Sequence, residues 1–269
     1  MIEDMWPDKD ARTRVDALVS QLLDEHIVDL PNRGVLTKLS ATQIRGALSR
    51  YDFAVPRPLD AVARDAIELL GNGMVPTMHP RYLGLFNPSV TFPGIVADRI
   101  TATLNPQLAA WSHAPAAAEI ELHTLKAIGA LCGWTREETN GHFTSGGAEA
   151  NNTAVLLALT RAHPDFADHG ARAYSGQPRL YVSVESHLAW LKIAHQAGVG
   201  REAVRPIATD GAGAMLAEAL ERQIKADRTA GDIPVFIGAT AGTTNAGMVD
   251  PLFDCRRIAL AENMWFHVD

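Results

Sequence analysis

The chain has 269 residues, 47% of them hydrophobic, and a formal net charge of −7, so it can bury a large core in one large or two modest domains. Acidic and basic residues are interspersed, and the sequence has no basic stripe. This argues against nucleic acid or an anionic membrane as a partner. No apolar run approaches the roughly 20 residues of a membrane span, the N-terminus has no signal core, and Cys132 and Cys255 have neither disulfide nor metal spacing. We therefore expect a soluble, cytoplasmic protein.

The N-terminal part of the chain predicts an arm of three short amphipathic helices. Apolar residues three and four apart mark a helix over residues 11–28. A capping box at residues 40–43 precedes a second helix, and a third covers residues 59–70 with Gly71 as its stop. The apolar stripes have no partner within so small an arm, so we expect the arm to dock on a larger body.

Residues 71–93 are rich in glycine and proline, which predicts a long irregular loop. Long ordered loops within compact proteins are commonly functional. Its segment 79–88 (His-Pro-Arg-Tyr-Leu-Gly-Leu-Phe-Asn-Pro) has two interpretations. It is either a ligand-facing loop or a surface crossover whose apolar side chains cover the core.

After helices over residues 94–104 and 115–131, strand-like and helix-like segments alternate. Residues 142–144 are β-prone but are interpreted as part of a loop before the helix over residues 147–162. The predicted strands cover residues 180–184, 204–208, 233–240 and 265–268. The predicted helices cover residues 147–162, 187–197, 215–226 and 251–261. This alternation predicts an α/β fold, a mostly parallel sheet sandwiched by helices, whose ligands lie beyond the carboxyl ends of strands.

Residues 142–151 (His-Phe-Thr-Ser-Gly-Gly-Ala-Glu-Ala-Asn) predict a turn before a buried helix, with Ser145 as its N-cap. Gly146 and Gly147 lack a Cβ, so backbone N–H groups can approach an anion, and the helix N-terminus adds partial positive charge. Phosphate is the simplest ligand, and a plain turn is the alternative. The loop matches neither a nucleotide P-loop nor the Gly-x-Gly-x-x-Gly of dinucleotide-binding proteins.

Three further polar motifs follow predicted strands, so they can converge with this loop at one edge of the sheet. They are Ser186 with His187, Gly242 with Thr243 and Thr244, and Asp269. The ten histidines show no His-Glu-x-x-His or comparable spacing, so the sequence predicts no metal site.

In this order, the motifs resemble the group II pyridoxal-phosphate-dependent decarboxylases, which include aromatic amino acid, glutamate and diaminobutyrate decarboxylases. The resemblance runs from about residue 78 to residue 269. It implies pyridoxal 5′-phosphate as cofactor, decarboxylation of an L-amino acid to the amine and CO2, the architecture called fold type I, and a homodimer. It also implies a helical arm with a substrate-side loop over residues 1–90 and a cofactor-binding large domain over residues 91–269.

The resemblance also implies roles for single residues. His187 resembles the histidine that stacks over the cofactor ring, and Asp269 resembles the aspartate that holds a proton on the pyridine nitrogen, so both are candidate catalytic residues. Cofactor binding is implied for Gly146, Gly147, Ala148, His187, Thr244 and Asp269. Substrate binding is implied for His79, Leu85, Phe86 and Asn87.

Two positions depart from the family pattern. Ala148 stands where many members have serine or threonine, which leaves only backbone N–H groups for the phosphate. Pro88 falls where aromatic amino acid decarboxylases have a threonine for the substrate carboxylate. The apolar side chains of the loop favour an aromatic or apolar substrate, whereas Arg81 and Asn87 would suit an acidic one.

In the family, the lysine that bonds to the cofactor follows the His-Val-Asp motif by some tens of residues. None of the five lysines of this chain matches it: Lys9, Lys38, Lys126, Lys192 and Lys225. We therefore expect the N-terminal part of a decarboxylase, inactive by itself. The alternatives are lyase or transaminase chemistry on the same cofactor fold and a non-catalytic fragment.

Overall fold

The computed structural model describes residues 6–84 and 87–269, and it forms two compact units, Met1–Leu104 and Asn105–Asp269. The division that the sequence suggests at residues 90 and 91, between an arm and a cofactor-binding domain, stays a prediction. Within the described residues, no helix is both long enough and apolar enough to cross a membrane.

The first unit is helical. Its helices are α1 (Lys9–Asp29), α2 (Ala41–Leu48), α3 (Leu59–Gly73) and α4 (Phe92–Leu104). The predicted capping box of α2 is confirmed, because the Ser40 hydroxyl accepts from the Gln43 N–H and the Gln43 side chain accepts from the Ser40 N–H. The predicted stop at Gly71 is wrong. A Cβ on Gly71 would lie 3.0 Å from the His26 ring, so this glycine lets α1 and α3 approach closely and does not end the helix.

The second unit is an α/β structure, as predicted. Its helices are α5 (Pro115–Leu131), α6 (Gly147–Ala162), α7 (Phe166–His169), α8 (Ala189–Gln196), α9 (Ala217–Thr229) and α10 (Leu252–Ala261). Its strands are β1 (Pro178–Ser183), β2 (Val204–Ile207), β3 (Ile233–Ala239) and β4 (Trp265–Val268). They form one sheet in the order β2-β1-β3-β4, and every pair is parallel.

Helices cover both faces of this sheet. Along β1, Leu180 and Val182 pack in the cluster formed with α6 and α8, whereas Tyr181 between them packs in the cluster formed with α9 and α10. Side chains alternate across a strand, so a strand covered on both faces is apolar at nearly every position. This explains why the strands are short continuous apolar runs.

The β-prone residues 142–144 form no strand, in agreement with their interpretation as a loop. The Phe143 N–H donates to the Glu121 carboxylate at 2.6 Å, and the Phe143 side chain is more than half exposed. Local β propensity forms a strand only where a neighbouring strand supplies hydrogen-bond partners, and the described chain pairs none with this segment.

A buried polar cluster closes the amino-terminal side of the sheet. The Asp227 carboxylate, 3% exposed, accepts hydrogen bonds from the Tyr181 hydroxyl at 2.9 Å and from the Arg205 guanidinium at 3.1 Å. Arg205 also pairs with Asp232, which binds Arg179. Burial and the bond to Asp227 raise the pKa of the Tyr181 hydroxyl, so the phenol stays protonated and donates.

We expect Asp227→Ala to lower the free energy of unfolding by about 3–5 kcal/mol, because it leaves Arg205 and the Tyr181 hydroxyl without their buried acceptor. Urea unfolding measures the loss. Glu221→Ala is the control, since it breaks an exposed pair with Arg257 and should cost about 1 kcal/mol or less. Equal losses in the two variants would contradict the prediction.

Candidate functional site

A cleft of about 260 Å³ opens beyond the carboxyl ends of β1, β3 and β4. Its lining residues are Gly147, Ala148, Asn151, His187, Thr240, Gly242, Thr243, Thr244 and Asp269. They come from the first turns of α6 and from the segments that follow the three strands. The convergence of the four sequence motifs at one sheet edge is therefore confirmed.

The start of α6 differs from the prediction at one residue. Gly146, in extended backbone, is the N-cap, and Ser145 is not. The Ser145 N–H and hydroxyl instead donate to the Glu149 carboxylate at 2.8 and 2.5 Å. These bonds lower the pKa of Glu149, and they draw its carboxylate to the Ser145 side of the turn.

The first N–H groups of α6 are available to a ligand. In the part of the chain that the structure describes, the N–H groups of Gly147 and Ala148 have no hydrogen-bond partner, whereas that of Glu149 donates to the Gly146 carbonyl. A Cβ on Gly146 or Gly147 would meet no atom within 4 Å, so protein packing does not require glycine here. The missing side chains leave open space over two free donors, which suits an anion.

His187 lies in the turn between β1 and α8. The Ser186 hydroxyl donates to the Ser183 carbonyl at 2.6 Å, which closes the turn, and the Ala189 N–H donates to His187 Nδ1 at 3.1 Å. The ring therefore has one nitrogen held by the backbone and the other directed away from it. The prediction that His187 itself begins the helix is wrong by two residues, because α8 begins at Ala189 after this turn.

The parallel ladder between β3 and β4 continues past the last strand residues. The Asp269 N–H donates to the Ala239 carbonyl at 2.9 Å, and the Ala241 N–H donates to the Asp269 carbonyl at 2.7 Å. Asp269 therefore lies opposite Thr240. Because side chains alternate along a strand, the Asp269 side chain lies on the same face as that of His267.

His267 connects this strand to α6. Its Nε2–H donates to Asn151 Oδ1 at 2.7 Å, since an amide oxygen can only accept. The ring packs against Trp190 and Phe236, with centroids 5.9 and 5.5 Å away. Burial lowers the pKa of His267. The negative charge of Asp269 raises this pKa, but its effect is smaller than that of burial. A Cβ on Gly238 would lie 2.9 Å from the Phe236 ring, so glycine is required beneath this cluster.

Hydrogen bonds to Asp250 fix the segment that follows β3. This buried carboxylate accepts from the Thr240 N–H and from the Met215 N–H, both at 2.8 Å. Gly242 has φ of +122°, a conformation that favours glycine, and the following turn is closed by bonds between Thr243 and Met248. The exposed Thr244 lies at the mouth of the cleft.

Sequence reasoning gave no role to three residues of this site: Asn151, Thr240 and Asp250. A signal was available for Asn151 and for its partner His267. Asn151 is a polar residue on the apolar face of α6, and His267 is a polar residue in an apolar strand, so each required a buried partner. Nothing in the sequence connects Asp250 to the backbone of Thr240, because that contact depends on the path of the turn.

The residues predicted to bind substrate lie in the first unit. His79 is buried, its Nε2–H donates to the Arg33 carbonyl at 3.1 Å, and its Nδ1 accepts from the Arg81 N–H at 3.0 Å. Both ring nitrogens are thus used within this unit. The Tyr82 hydroxyl donates to Asn87 at 2.9 Å, and Leu85 and Phe86 lie outside the described residues. Their role in substrate binding stays a prediction.

Residues 51–269 match the family model of the pyridoxal-dependent decarboxylase conserved domain. The chain belongs to this family. Acidic amino acid decarboxylase GADL1 of Homo sapiens is 34% identical over 216 residues, which cover 80% of this chain and 40% of that protein. L-2,4-diaminobutyrate decarboxylase of Rhizobium meliloti (strain 1021) is 31% identical over 239 residues, 86% of this chain and 46% of that protein.

The crystal structure of mouse CSAD is similar to this decarboxylase-family chain, with a TM-score of 0.89 and 28% identity over 97% of this chain and 55% of the other. The likeness confirms the α/β fold of the family. The chain spans about half the length of the relatives it matches.

The cofactor of the family is pyridoxal phosphate, and the cleft fits it. Two free N–H groups at the start of α6 can donate hydrogen bonds to the phosphate, and a carboxylate at the end of β4 can accept one from a protonated ring nitrogen. The Thr240 hydroxyl is buried without any partner among the described residues, which indicates that the cleft is built around a further polar group.

We expect the free energy of unfolding to decrease as the pH falls below about 6.5, the ordinary pKa of histidine, partly because of His267. Below this pH the unfolded chain binds a proton that the folded chain binds only at lower pH. Each group of this kind therefore lowers the free energy of unfolding by up to about 1.4 kcal/mol per pH unit. Above this pH, neither state is protonated and the contribution vanishes.

The measurement is urea unfolding at a series of pH values, for the unmodified chain and for His267→Gln. Burial also lowers the pKa of His26, so the pH dependence should become shallower in the variant without disappearing. Identical slopes for the two proteins would show that His267 is not a buried, uncharged group.

Proposed function

We propose that this chain forms the cofactor-binding part of a pyridoxal-phosphate-dependent L-amino acid decarboxylase. One observation carries the proposal: a single cleft unites the free N–H groups of α6 with the carboxylate of Asp269, and His187 lies on its rim. Hydrogen-bond donors for an anion and a carboxylate in the same cleft match the two charged ends of pyridoxal phosphate. Membership of the decarboxylase family supports the same conclusion.

In this proposal, the phosphate is bound by the turn that begins α6. Gly147 and Ala148 donate their N–H groups, and Gly146 leaves the approach open. The partial positive charge of the helix N-terminus adds to the attraction. The absence of a hydroxyl at Ala148 makes backbone donors the main contribution of this turn.

The ring is held by Asp269, His187 and Thr244. A carboxylate beside the pyridine nitrogen raises the pKa of that nitrogen, so Asp269 keeps a proton on it. With this proton in place, the bound cofactor would supply an electron sink for the loss of CO2 from an amino acid. His187 borders the reacting face, and Thr244 adds a hydroxyl at the mouth of the cleft. We propose His187 and Asp269 as the catalytic residues.

The positions of these groups are fixed by hydrogen bonds within the protein itself. The bond from His267 to Asn151 joins the strand that carries Asp269 to the helix that carries the phosphate donors. The two ladder bonds to β3 fix the backbone of Asp269 itself. A rigid site of this kind can stabilise charge without reorganising during the reaction.

We further propose that the protein acts as a homodimer in the cytoplasm. The helices of the first unit support this, because they expose large apolar side chains: Phe92, Ile100 and Leu104 of α4 are each at least half exposed. Both cysteines are free, which is compatible with a reducing compartment.

An acidic L-amino acid is the substrate class we propose. The name of the human relative states an acidic substrate, and the guanidinium of Arg81 in the loop 79–88 offers a countercharge. The other members of the substrate set are His79, Leu85, Phe86 and Asn87. This proposal replaces the aromatic or apolar preference that the loop composition alone suggested.

We expect Asp269→Asn to bind the cofactor within a few-fold of the unmodified affinity but to lower turnover by about 100-fold or more in the full-length protein. An amide has nearly the same size and cannot stabilise the protonated ring. The ring nitrogen of the bound cofactor should therefore lose its proton at neutral pH, as measured by ¹⁵N NMR. Asp254→Asn, an exposed residue on α10, is the control. A bound ring that stays protonated in Asp269→Asn would remove this residue from its proposed role.

We expect the full-length protein to release CO2 faster from glutamate, aspartate or cysteine sulfinate than from diaminobutyrate, tyrosine or tryptophan. Arg81→Ala should lower kcat/KM for the acidic substrates by about tenfold or more, the loss of one charged hydrogen bond, and Arg81→Lys should retain part of it. Preferred turnover of tyrosine or tryptophan, unaffected by Arg81→Ala, would favour the aromatic substrate class instead.

A further inference from the structure

Thr240 carries a hydroxyl that the protein itself does not use. The residue is 4% exposed, and its Oγ1 is buried without a hydrogen-bond partner among the described residues. A buried hydroxyl without a partner costs about 1–3 kcal/mol, so such atoms are rare unless a ligand or a role explains them.

The location of Thr240 distinguishes it from other buried atoms of this kind. The described chain has four such side-chain atoms: Asn152 Oδ1, His163 Nδ1, Trp190 Nε1 and Thr240 Oγ1. Of these four residues, only Thr240 lines the cleft. It lies opposite Asp269 across the β3–β4 ladder, on the face of the sheet that α6 covers.

The backbone of Thr240 is held on both sides. Its N–H donates to the Asp250 carboxylate at 2.8 Å, and its carbonyl accepts from the Asp250 N–H at 2.9 Å. The same carboxylate binds the Met215 N–H, which fixes Asp250 in turn. With the backbone held, the hydroxyl oxygen can move only by rotation about χ1, which needs no movement of the backbone.

We infer that Thr240 is a further ligand-binding residue, whose hydroxyl forms a hydrogen bond to the cofactor at the ring end, beside Asp269, and that Asp250 positions it. The inference rests on the proposed cofactor site, because a ligand must enter the cleft to supply the partner. It adds a side-chain hydroxyl to a site in which Ala148 provides none. The free-energy cost of burying an unpaired hydroxyl in the free protein is then offset by the hydrogen bond that forms when the cofactor binds.

The test compares Thr240→Val, which has nearly the same shape and no hydroxyl, with Thr240→Ser, which keeps the hydroxyl. Binding of pyridoxamine 5′-phosphate to the 269-residue chain is measured by fluorescence anisotropy. This ligand has no aldehyde and cannot bond to lysine side chains. Thermal unfolding without ligand is measured on the same samples.

Thr240→Val should bind the ligand about tenfold more weakly or worse, the loss of about one hydrogen bond, whereas its Tm without ligand should be unchanged or higher. Thr240→Ser should restore most of the affinity. A purely structural threonine would give the opposite result, a lower Tm and unchanged affinity.

Thr139→Val is the matched control, because this buried threonine has a partnered hydroxyl that donates to the Thr135 carbonyl at 2.8 Å. It should lower the Tm and leave ligand affinity within about twofold. Unchanged affinity in Thr240→Val, with binding by the unmodified chain, would overturn the role of Thr240 alone. Absence of binding by the unmodified chain would overturn the cofactor site and this inference together.

Discussion

The parallel pairing of β3 with β4 is the interaction on which the geometry of the cleft depends. The ladder continues one residue beyond each strand, so Thr240 and Asp269 lie opposite each other in the register of the two strands. A shift of one residue would turn both side chains to the other face, because the side-chain period of a strand is two. The register is held by apolar side chains on both faces, such as Phe236 on one and Ile237 on the other. Core packing thus fixes the position of Asp269, which is itself exposed.

The same register connects the aromatic cluster to the site. Side chains alternate along β3, so Thr240 lies on the same face as Phe236, the face covered by α6 and α8. Gly238 lies between them on this face. Trp190 and His267 complete the cluster below the cleft. His267 is both a packing residue and a hydrogen-bond donor to Asn151, and burial lowers its pKa, which favours the uncharged ring. A change in this cluster would therefore move the strand that carries the carboxylate and the helix that carries the anion donors.

Backbone groups and side chains contribute differently to the two ends of the cleft. At the start of α6, unpaired N–H groups are a property of every helix, and the glycines only remove obstruction. At the ends of β3 and β4, single side chains provide the polar groups, and each is fixed by its own set of bonds, from Asp250 to Thr240 and from the ladder to Asp269. Substitution should consequently be tolerated more readily at Ala148 than at Asp269 or Asp250.

The sequence by itself determined the α/β fold, the limits of most helices and strands, and the four motifs that meet at one sheet edge. These features are local or follow from alternation: apolar runs, a capping box and polar residues after strands require no knowledge of distant neighbours. Only the tertiary structure decided that Gly71 lies within a helix, and that Ser145 binds Glu149 and does not cap α6. It alone also identified Asn151, Thr240 and Asp250 as parts of the site. The bond of Ser145 to Glu149 is local and competes with capping within one turn. Each of the other outcomes depends on a partner supplied by another segment or on the path of a turn, and neither is encoded in the spacing of residues along the chain.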